Sequence, residues 1–378
     1  MPTLKLKTLT PVHIGNGEKW YRHIHFVQKQ RIIGIVDERK VLDIIGADKI
    51  EAWVRNIDEG NEAVYQLLGN RKDDLPAYCH YTLPVSGNAS GINELKVQYK
   101  TLNRPCIPGT SIKGALRTVL FNDKADAVFT GINQIRKGAN EFSSIKLEEA
   151  IFGESANHNV MRFFRFGDVI CATDVLEVYP VQLLNYYIGN NWDVKRGQHW
   201  LAECIKPGTR ATLRMDFIND TVNRNRYNAY TIGNKTTGGN YWRNQSFDNL
   251  FKQDITGLFA LINDFMLRAI EIDIESIDDP RLSDAYSNIK KEIKRCKLDN
   301  RSVVMRIGAN SGWNYTTGGW ICDIDEHRIN DDDLDRILKV CRKGRVYNNQ
   351  DVPMPKTRKF SQAEPISHLF GFIKLSLQ

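Results

Sequence analysis

The chain has 378 residues, of which 42% are hydrophobic and 26% are charged, and its 52 Lys and Arg residues exceed 45 Asp and Glu residues to give a net charge of +7. This composition is typical of a globular protein and excludes a disordered or fibrous chain. At about 150 residues per domain, the length predicts roughly two or three domains, each with an ordinary hydrophobic core of its own.

The N-terminal half of the sequence shows both strand and helix patterns. Leucines at alternate positions from Leu4 predict a first strand, and a hairpin is predicted in which residues 28–31 turn between two apolar arms. A helical pattern covers residues 51–68, whereas residues 84–108 are rich in turn residues and show little periodicity. A regular helix is predicted over 110–122, because its apolar residues recur at helical spacing.

The later part of the chain continues this mixture. Its clearest strand pattern lies at 211–217, where apolar and polar residues alternate strictly. Further strands are predicted at 160–166, 175–179 and 372–377, and amphipathic helices are predicted at 258–269, 282–296 and 330–344.

This order of elements favours an α+β fold. β-hairpins occur beside β-α steps, which argues against a doubly wound parallel sheet. Two split β-α-β units fit the number of elements. The turn residues at Lys206-Pro-Gly208 predict a boundary between a domain of residues 1–205 and a domain of residues 206–378.

The sequence also indicates a compartment. The N-terminus lacks the apolar region of a secretory signal, and no apolar run approaches the roughly 20 residues that span a bilayer. The seven cysteines are odd in number and scattered, without a C-x-x-C pair, which predicts reduced thiols and no zinc site. We therefore expect a cytoplasmic protein without a membrane segment, a metal or a cofactor.

Residues 107–117, Ile-Pro-Gly-Thr-Ser-Ile-Lys-Gly-Ala-Leu-Arg, combine a helix start with basic residues. Thr110 or Ser111 is expected to cap the helix, and the free N–H groups of its first turn, together with Lys113, predict an anion site. The alternative is a core helix whose basic residues are only solvated.

Two glycines in the same segment bear on its function. Gly109 and Gly114 have the spacing of a P-loop, but Ala115 stands where a P-loop needs lysine, which disfavours a nucleotide triphosphate site. A glycine inside a helix costs about 1 kcal/mol relative to alanine. Close approach of a backbone at Gly114, from protein or from nucleic acid, would explain it.

Residues 306–320 form a glycine-rich and aromatic segment with four glycines, two tryptophans and one tyrosine. Such a segment predicts a flexible loop that brings aromatic faces and backbone amides against a single strand of nucleic acid. A glycine-rich hairpin around core tryptophans is the alternative. Residues 236–242 repeat part of the pattern, which weakly supports two duplicated units.

Positive charge is concentrated in two C-terminal segments. Residues 290–306 contain seven basic residues against two acidic ones, and residues 339–359 contain seven against one. Such localised charge is typical of a face that binds phosphates, although a solvated helix face is the alternative for the first segment. The acidic run 331–333 lies at a predicted helix start, where it complements the helix dipole rather than forming a metal site.

Taken together, these segments resemble the RAMP superfamily of CRISPR effector proteins. Residues 9–17, Leu-Thr-Pro-Val-His-Ile-Gly-Asn-Gly, resemble its N-terminal strand and turn, residues 107–117 its helix signature, and residues 306–312 its glycine-rich element. Residues 355–359, followed by 369–374, are similar to the subunit that caps the 3′-end side of type III-A (Csm) complexes.

This resemblance implies a specific fold and role. The implied fold is two RRM-like, ferredoxin-type β-α-β domains with glycine-rich loops and helical insertions. The implied role is a non-catalytic subunit that binds the 3′ portion of crRNA, caps the backbone filament and is required for crRNA maturation in antiviral defence. The implied partners are crRNA, target RNA, the backbone and small subunits of the Csm complex, and host 3′ exonucleases.

We therefore predict an RNA-binding site without metal or cofactor. The helix start and its basic residues are expected to contact phosphates, and Trp313 is a candidate for base stacking. The predicted RNA contacts are His13, Thr110, Ser111, Lys113, Arg117, Arg306, Trp313, Lys356, Arg358 and Lys359.

Two alternative functions remain open at this point. The first is a metal-independent RAMP-type endoribonuclease that processes precursor crRNA with His13 as general base, although no second acid or base can be paired with His13 from the sequence. It predicts cleavage of repeat-containing RNA in EDTA that is lost on His13→Ala. The second is the analogous terminal subunit of a type III-B complex, which the partner chains would distinguish.

Overall fold

The structure is a computed structural model of the chain. It describes residues 3–59, 64–135, 138, 141–153, 159–187, 191–217, 255–316, 319–320, 330, 332–334, 336–337, 355–362 and 367–378.

The elements of the described chain are interspersed strands and helices. The strands up to residue 217 are β1 (Thr3–Thr8), β2 (Gly15–Tyr21), β3 (Phe26–Lys29), β4 (Ile32–Val36), β5 (Cys79–Pro84), β6 (Glu94–Gln98), β7 (Lys100–Thr101), β8 (Arg104–Ile107), β9 (Phe164–Phe166), β10 (Val169–Ile170), β11 (Leu176–Tyr187), β12 (Asn191–Ile205) and β13 (Arg210–Phe217). The helices in this part are α1 (Glu38–Ile45), α2 (Ile50–Asp58), α3 (Val64–Leu67), α4 (Leu75–Tyr78), α5 (Gly109–Val128) and α6 (Ile145–Phe152). The later elements are α7 (Ile255–Ser276), α8 (Pro280–Asp299), β14 (Ser302–Arg306), β15 (Thr357–Phe360) and β16 (Phe372–Leu377).

One five-stranded sheet, which we call the terminal sheet, has the strand order β14-β16-β1-β13-β9. β1 pairs antiparallel with β13 on one side and β16 on the other, so Leu4 lies opposite both Leu213 and Leu377. Side chains alternate between the two faces of a strand. Leu4 and Leu6 are accordingly buried, whereas Lys5 and Lys7 are exposed. Helices α7 and α8 pack against each other and against β14.

A second five-stranded sheet, which we call the central sheet, has the order β15-β11-β12-β6-β2. β11 and β12 form a long antiparallel hairpin, and β12 pairs with β6 in parallel so that Leu201 lies opposite Leu95. Two three-stranded sheets, β10-β8-β7 and β3-β4-β5, complete the strands that the structure describes.

The main hydrophobic core spans both five-stranded sheets and the helices α5, α7 and α8. Trp320 belongs to this core, with its ring 6.1 Å from the Phe121 ring and 5.3 Å from the Phe129 ring. Of the two core tryptophans in the alternative interpretation of the glycine-rich segment, Trp320 lies in the core, whereas Trp313 is partly exposed. A smaller core beneath β3 and β4 includes Val41 and Trp53.

The α+β class and most of the strongly patterned elements are confirmed. The last strand lies at 372–377, as predicted, and the alternating segment 211–217 lies within β13. The helices predicted at 258–269 and 282–296 are the inner parts of the longer α7 and α8. Among the described helices, none combines the length and apolarity that a membrane span requires.

Other predictions of secondary structure are wrong. Residues 84–108, expected to be irregular, contain β6, β7 and β8, and the 15-residue β12 was not predicted. The helical pattern over residues 51–68, by contrast, is confirmed and corresponds to two helices, α2 and α3. Strands of two to five residues show too few alternations to reveal their period, and the first half of β12 is polar, so pairing with β11 rather than pattern defines it.

Some predictions lie wholly or partly outside the described residues. Of the helix predicted at 330–344, only the start is described, where Asn330 Oδ1 accepts a 2.8 Å hydrogen bond from the Asp333 N–H. The repeat at 236–242 lies outside the described residues.

Strand pairing crosses the predicted domain boundary in both five-stranded sheets. In the terminal sheet, β1 lies between β13 and β16, and in the central sheet β15 pairs with β11. The division into residues 1–205 and 206–378 stays a prediction.

Candidate nucleic-acid interface

The start of α5 is held by a carboxylate from another part of the chain. Pro108 occupies the N-cap position, and the Gly109 N–H donates a 2.8 Å hydrogen bond to Asp168 Oδ1. Thr110 and Ser111 lie inside the first turn, so the prediction that one of them caps the helix is wrong. The Asp168 side chain accepts the hydrogen bond at the helix start instead, because the N–H groups there favour a negative charge.

A cleft of about 260 Å³ lies between α5 and the turn that follows β14. One wall comes from the predicted helix signature, and the other comes from the glycine-rich segment. Two motifs that lie far apart in the sequence therefore meet in space. The lining residues are Ser111, Gly114, Ala115, Thr118, Arg306, Ile307, Gly308, Ser311, Tyr315 and Thr316.

Gly114 is an exposed part of this cleft. A Cβ atom at this position would meet nothing within 4 Å. Close approach of a protein backbone therefore does not explain the glycine within the described chain. Approach of a nucleic-acid backbone stays a prediction.

The glycine-rich turn is also joined to the N-terminal and C-terminal motifs. The Ala309 N–H donates a 2.9 Å hydrogen bond to the His13 carbonyl, and the Ile307 N–H donates one of 2.8 Å to the Gly371 carbonyl. The Gly371 N–H in turn donates to the Pro11 carbonyl at 2.9 Å. Backbone hydrogen bonds thus connect residues 9–17, 306–312 and 369–374, the segments that carry much of the family resemblance.

Asp273 of α7 is a buried carboxylate that joins three segments. Asp273 Oδ1 lies 2.8 Å from Arg358 Nη2 and accepts a 2.9 Å hydrogen bond from Asn314 Nδ2, while Oδ2 lies 3.8 Å from Arg306 Nη1. Asp273 is 1% exposed, and both arginines are 5% exposed. Arg306 and Arg358, two of the predicted RNA contacts, therefore neutralise an internal carboxylate, and we leave them out of the proposed RNA surface.

Arg306 shapes the turn that forms one side of the cleft. Its guanidinium carbon lies 4.4 Å from the Tyr315 ring centroid and 4.6 Å from that of Phe372. Its Nε donates a 2.9 Å hydrogen bond to the Phe370 carbonyl. Cation–π and hydrogen-bond contacts thus hold Arg306 in one orientation at the base of the cleft.

His13 is a buried residue, with 1% of its surface exposed. Its Nδ1–H donates a 2.6 Å hydrogen bond to the Glu203 carbonyl, because a carbonyl oxygen can only accept. Burial lowers the pKa of His13, so the neutral imidazole is favoured. The structure thus places the candidate general base inside the protein, where it ties the N-terminal turn to β12.

Replacing His13 by glutamine is expected to flatten the dependence of stability on pH. Because the folded pKa of His13 lies below its ordinary value of 6.5, the unfolded chain binds a proton more readily. The contribution of His13 to the free energy of unfolding is complete above about pH 6.5 and is lost as the pH falls below it. Urea unfolding at about pH 7.5 and 5.5 measures this difference.

His13→Gln keeps an N–H donor for the Glu203 carbonyl, and the exposed His199→Gln is the matched control. When the pH is lowered from about 7.5 to 5.5, the unfolding free energy of His199→Gln should decrease as much as that of the parent. Equal falls in the parent and His13→Gln would contradict a neutral, buried His13.

Glu203 is a second fully buried carboxylate near this turn. Its carboxylate accepts hydrogen bonds from the Gln98 N–H at 3.0 Å, Lys100 Nζ at 2.9 Å and the Tyr81 hydroxyl at 2.9 Å. These partners, which lie on β6, β7 and β5, satisfy the hydrogen-bonding capacity of the buried carboxylate. No group of three or more His, Cys, Asp or Glu side chains in the described parts of the chain is arranged to hold a metal ion.

Lys113 and Arg117 lie on α5 but have different surroundings. Lys113 is partly exposed, and burial together with the positive charge of Arg165 lowers its pKa. Arg117 forms a bidentate pair with Glu148 of α6, and its guanidinium carbon lies 5.1 Å from the Phe152 ring centroid. Lys113 therefore faces positive charge, whereas Arg117 already has an acidic partner.

The remaining predicted contacts are dispersed. Trp313 follows Gly312 in the glycine-rich turn and is partly exposed, with no hydrogen-bond partner for its Nε1 among the described residues. Lys356 and Lys359 are partly exposed at β15, and Lys359 Nζ lies 5.7 Å from the Trp200 ring centroid. The structure brings Ser111 and Arg306 to the cleft and places Lys359 on the central sheet.

Sequence reasoning missed Asp273 and the Lys96–Trp200 pair. Asp273 lies four residues after Ala269 and continues the apolar stripe of α7, so a charged residue at a core position was the available signal. Lys96 Nζ lies 4.0 Å from the Trp200 ring centroid. Nothing in the sequence connects these two residues, because their strands pair only in the folded sheet.

The chain is similar to known proteins in sequence and in fold. The RAMP superfamily matches residues 5–302 of the chain. The CRISPR-system protein Csm5 of Streptococcus thermophilus is 31% identical over 134 residues, an alignment that covers 32% of this chain and 37% of that protein.

Two solved structures are similar over nearly the whole length. A chain in a cryo-EM structure of a Csm–crRNA–target RNA ternary complex from a type III-A CRISPR-Cas system matches with a TM-score of 0.67 and 19% identity, covering 100% of both chains. The crystal structure of Csm5 from T. onnurineus matches with a TM-score of 0.60 and 20% identity, covering 98% of this chain and 99% of that one. At these identities, the likeness shows a shared fold.

Proposed function

This chain belongs to the RAMP superfamily, and we propose that it is a non-catalytic, RNA-binding subunit of a type III-A CRISPR (Csm) effector complex. It caps the backbone filament, binds the 3′ portion of crRNA and is required for crRNA maturation in antiviral defence in the cytoplasm. Its partners are crRNA, target RNA, the backbone and small subunits, and host 3′ exonucleases. The likeness to Csm5 in part of the sequence and in the fold supports this proposal.

The single observation that carries the proposal is the cleft between α5 and the glycine-rich turn. Gly114 leaves its floor open, and Ser111 and Thr316, which both carry hydroxyl groups, are among its lining residues. Hydroxyl groups and a close backbone are suited to the phosphates and 2′-hydroxyls of a single RNA strand. RNA is therefore the ligand that this cleft fits best.

Electrostatics on the α5 side of the cleft supports the same ligand. Lys113 belongs to the same helical turn as Ser111 and Gly114, and its pKa is lowered by burial and by Arg165. An RNA phosphate beside Lys113 would supply the negative charge that its described surroundings lack. Such uncompensated basic groups are typical of phosphate-binding faces.

The two proposed RRM-like units correspond to the two five-stranded sheets. The terminal and central sheets are the candidate RRM-like units, because each has five strands and contributes to one core with α5, α7 and α8. Exchange of strands between the two halves of the sequence then joins the units into one body.

A non-catalytic role is supported by the surroundings of His13. Its ring is buried and its Nδ1–H is committed to the Glu203 carbonyl, so it serves the fold rather than reaching a substrate. A general base must lie within hydrogen-bond reach of the proton that it removes.

Replacing Gly114 by leucine is expected to keep the protein stable while blocking the cleft. A Cβ here meets nothing within 4 Å, and a helical glycine costs about 1 kcal/mol, so stability should rise by about 0.5–1 kcal/mol. Affinity for crRNA should fall by about tenfold or more, because the leucine side chain occupies the space of the RNA strand in the cleft. Urea unfolding and fluorescence anisotropy with labelled crRNA measure the two effects.

The matched control is Ala127→Leu, which adds a leucine at an exposed position near the other end of α5. It should leave RNA affinity unchanged. If Gly114→Leu is stably folded and binds crRNA as tightly as the parent, the cleft is not the RNA site.

The cellular role is tested by sequencing RNA that co-purifies with the tagged protein from its native host. Discrete guides with a common repeat-derived 5′ tag are expected, together with the other Csm subunits. Deletion of this chain should leave crRNAs with altered 3′ ends. Heterogeneous RNA, or a full complex with normal crRNA ends in the deletion strain, would overturn the maturation role.

A further inference from the structure

Two lysines lie over the same indole ring on one face of the central sheet. Lys96 Nζ is 4.0 Å and Lys359 Nζ is 5.7 Å from the ring centroid of Trp200. All three side chains are partly exposed. They belong to β6, β15 and β12, so the group exists only because the sheet brings distant segments together.

Strand register explains why these side chains share a face. Lys96 lies opposite Ala202, two residues from Trp200 on the same strand. Trp200 lies opposite Val181, and Lys359 lies opposite Leu183, two residues further along β11. Paired residues and residues two apart lie on the same side of a sheet.

Positive charge on this face lacks a full counter-charge among the described residues. The pKa of Lys359 is lowered by burial and by the positive charges of Lys96 and Arg306. Lys96 Nζ lies 4.0 Å from Glu94 Oε1, but the other oxygen of Glu94 lies 3.1 Å from Lys19 Nζ. Two like charges beside one ring repel each other and favour an external anion.

The indole contributes an aromatic surface to the same place. Trp200 is partly exposed, and the exposed part of its ring offers a surface for a sugar or base.

The face is connected to the cleft through packed residues. Trp200 packs against a core cluster that includes Val181 and Phe370. The Phe370 carbonyl accepts a 2.9 Å hydrogen bond from Arg306 Nε, and Arg306 lines the cleft. An RNA strand that leaves the cleft past Arg306 can therefore continue onto the central sheet.

We infer that Lys96, Trp200 and Lys359 bind a phosphodiester group of single-stranded RNA that continues from the cleft across the central sheet. Both ammonium groups donate to phosphate oxygens, and the adjoining nucleotide packs against the exposed part of the indole. Basic residues combined with an aromatic surface are the usual means of binding a single strand without sequence preference. This inference rests on the proposed function, which supplies the RNA.

The test replaces each lysine by methionine in the full chain. Lys96→Met and Lys359→Met keep the side-chain stem on Trp200 and remove the charge, so the thermal midpoint should stay the same or rise. The binding constant K for a labelled oligouridine decreases as the salt concentration rises. The magnitude of the slope of log K against log salt concentration should be smaller by about 0.7 in the double variant. Lys5→Met, at an exposed position of β1, is the control that should leave both unchanged.

Lysine acetylation read by mass spectrometry gives a measurement that needs no variant. RNA should protect Lys96 and Lys359 from acetylation and leave Lys5 reactive. If the parent binds the oligonucleotide but both lysines stay reactive and the salt slope is unchanged in the double variant, this inference is wrong and the proposed function stands. If the parent binds no RNA, the proposed function fails first. Equal protection by inorganic phosphate alone would overturn the assignment to an RNA strand.

Discussion

Replacing Asp273 by alanine is expected to lower the free energy of unfolding by about 3–5 kcal/mol. Asp273 is the buried carboxylate between Arg358 and Arg306, and it also accepts a hydrogen bond from Asn314. Its removal leaves two guanidinium groups in the core without a counter-charge, and the cost of such uncompensated burial is large. Urea unfolding followed by circular dichroism measures the change.

Glu271→Ala is the matched control for Asp273→Ala. Glu271 lies on the same helix and pairs with Lys290 at 2.9 Å, but its side chain is 37% exposed. A surface pair of this kind contributes about 1 kcal/mol or less. If the two variants lose equal stability, the buried cluster does not hold the glycine-rich turn.

Replacing Gly308 by alanine is expected to cost about 2–4 kcal/mol. Gly308 has φ +77°, and a Cβ atom there would lie 2.4 Å from the His13 carbonyl oxygen and 2.7 Å from Ile14 Cδ1. That carbonyl cannot move freely, because it accepts the Ala309 N–H. The turn must therefore separate from the N-terminal segment, which denaturant unfolding would detect.

Gly312→Ala separates the effect of backbone conformation from that of crowding. Gly312 has φ +87° in the same turn, but a Cβ there would meet nothing within 4 Å. Its cost should be limited to the backbone strain of φ +87° with ψ 167°, about 1–3 kcal/mol. A loss at Gly308 no greater than the loss at Gly312 would contradict the close packing of the turn against His13.

Asp273 and Gly308 both hold the glycine-rich turn, so their replacement should also affect RNA binding. The Asp273 cluster holds it from α7 and β15, and Gly308 packs it against the N-terminal motif. Because this turn forms one wall of the cleft, a variant that displaces it should weaken crRNA binding even where the protein stays folded.

Elements with a strong period were predictable from the sequence. The alternation at 211–217 and the apolar stripes of α7 and α8 each record burial on one face, which is a local property of the chain. β12 and the short strands β6, β7 and β8 were not predictable, because their hydrogen bonds depend on partners that lie elsewhere in the sequence.

The candidate site was predictable only in part. Residue types and spacing identified the segments at 107–117 and 306–320, which do meet at one cleft. Charge and residue type did not separate Lys113, which is partly exposed, from Arg306, which is buried against Asp273. A basic residue has the same signature in a sequence whether its partner is a phosphate or a buried carboxylate.

Local pattern, turn chemistry and residue type were sufficient to predict the α+β class, the resemblance to the RAMP superfamily and the motifs that carry it. Folding establishes which basic residues are buried, which segments line the cleft, and that Lys96, Trp200 and Lys359 share a face. Burial, ion pairing and strand register arise between residues far apart along the chain, so no local pattern records them.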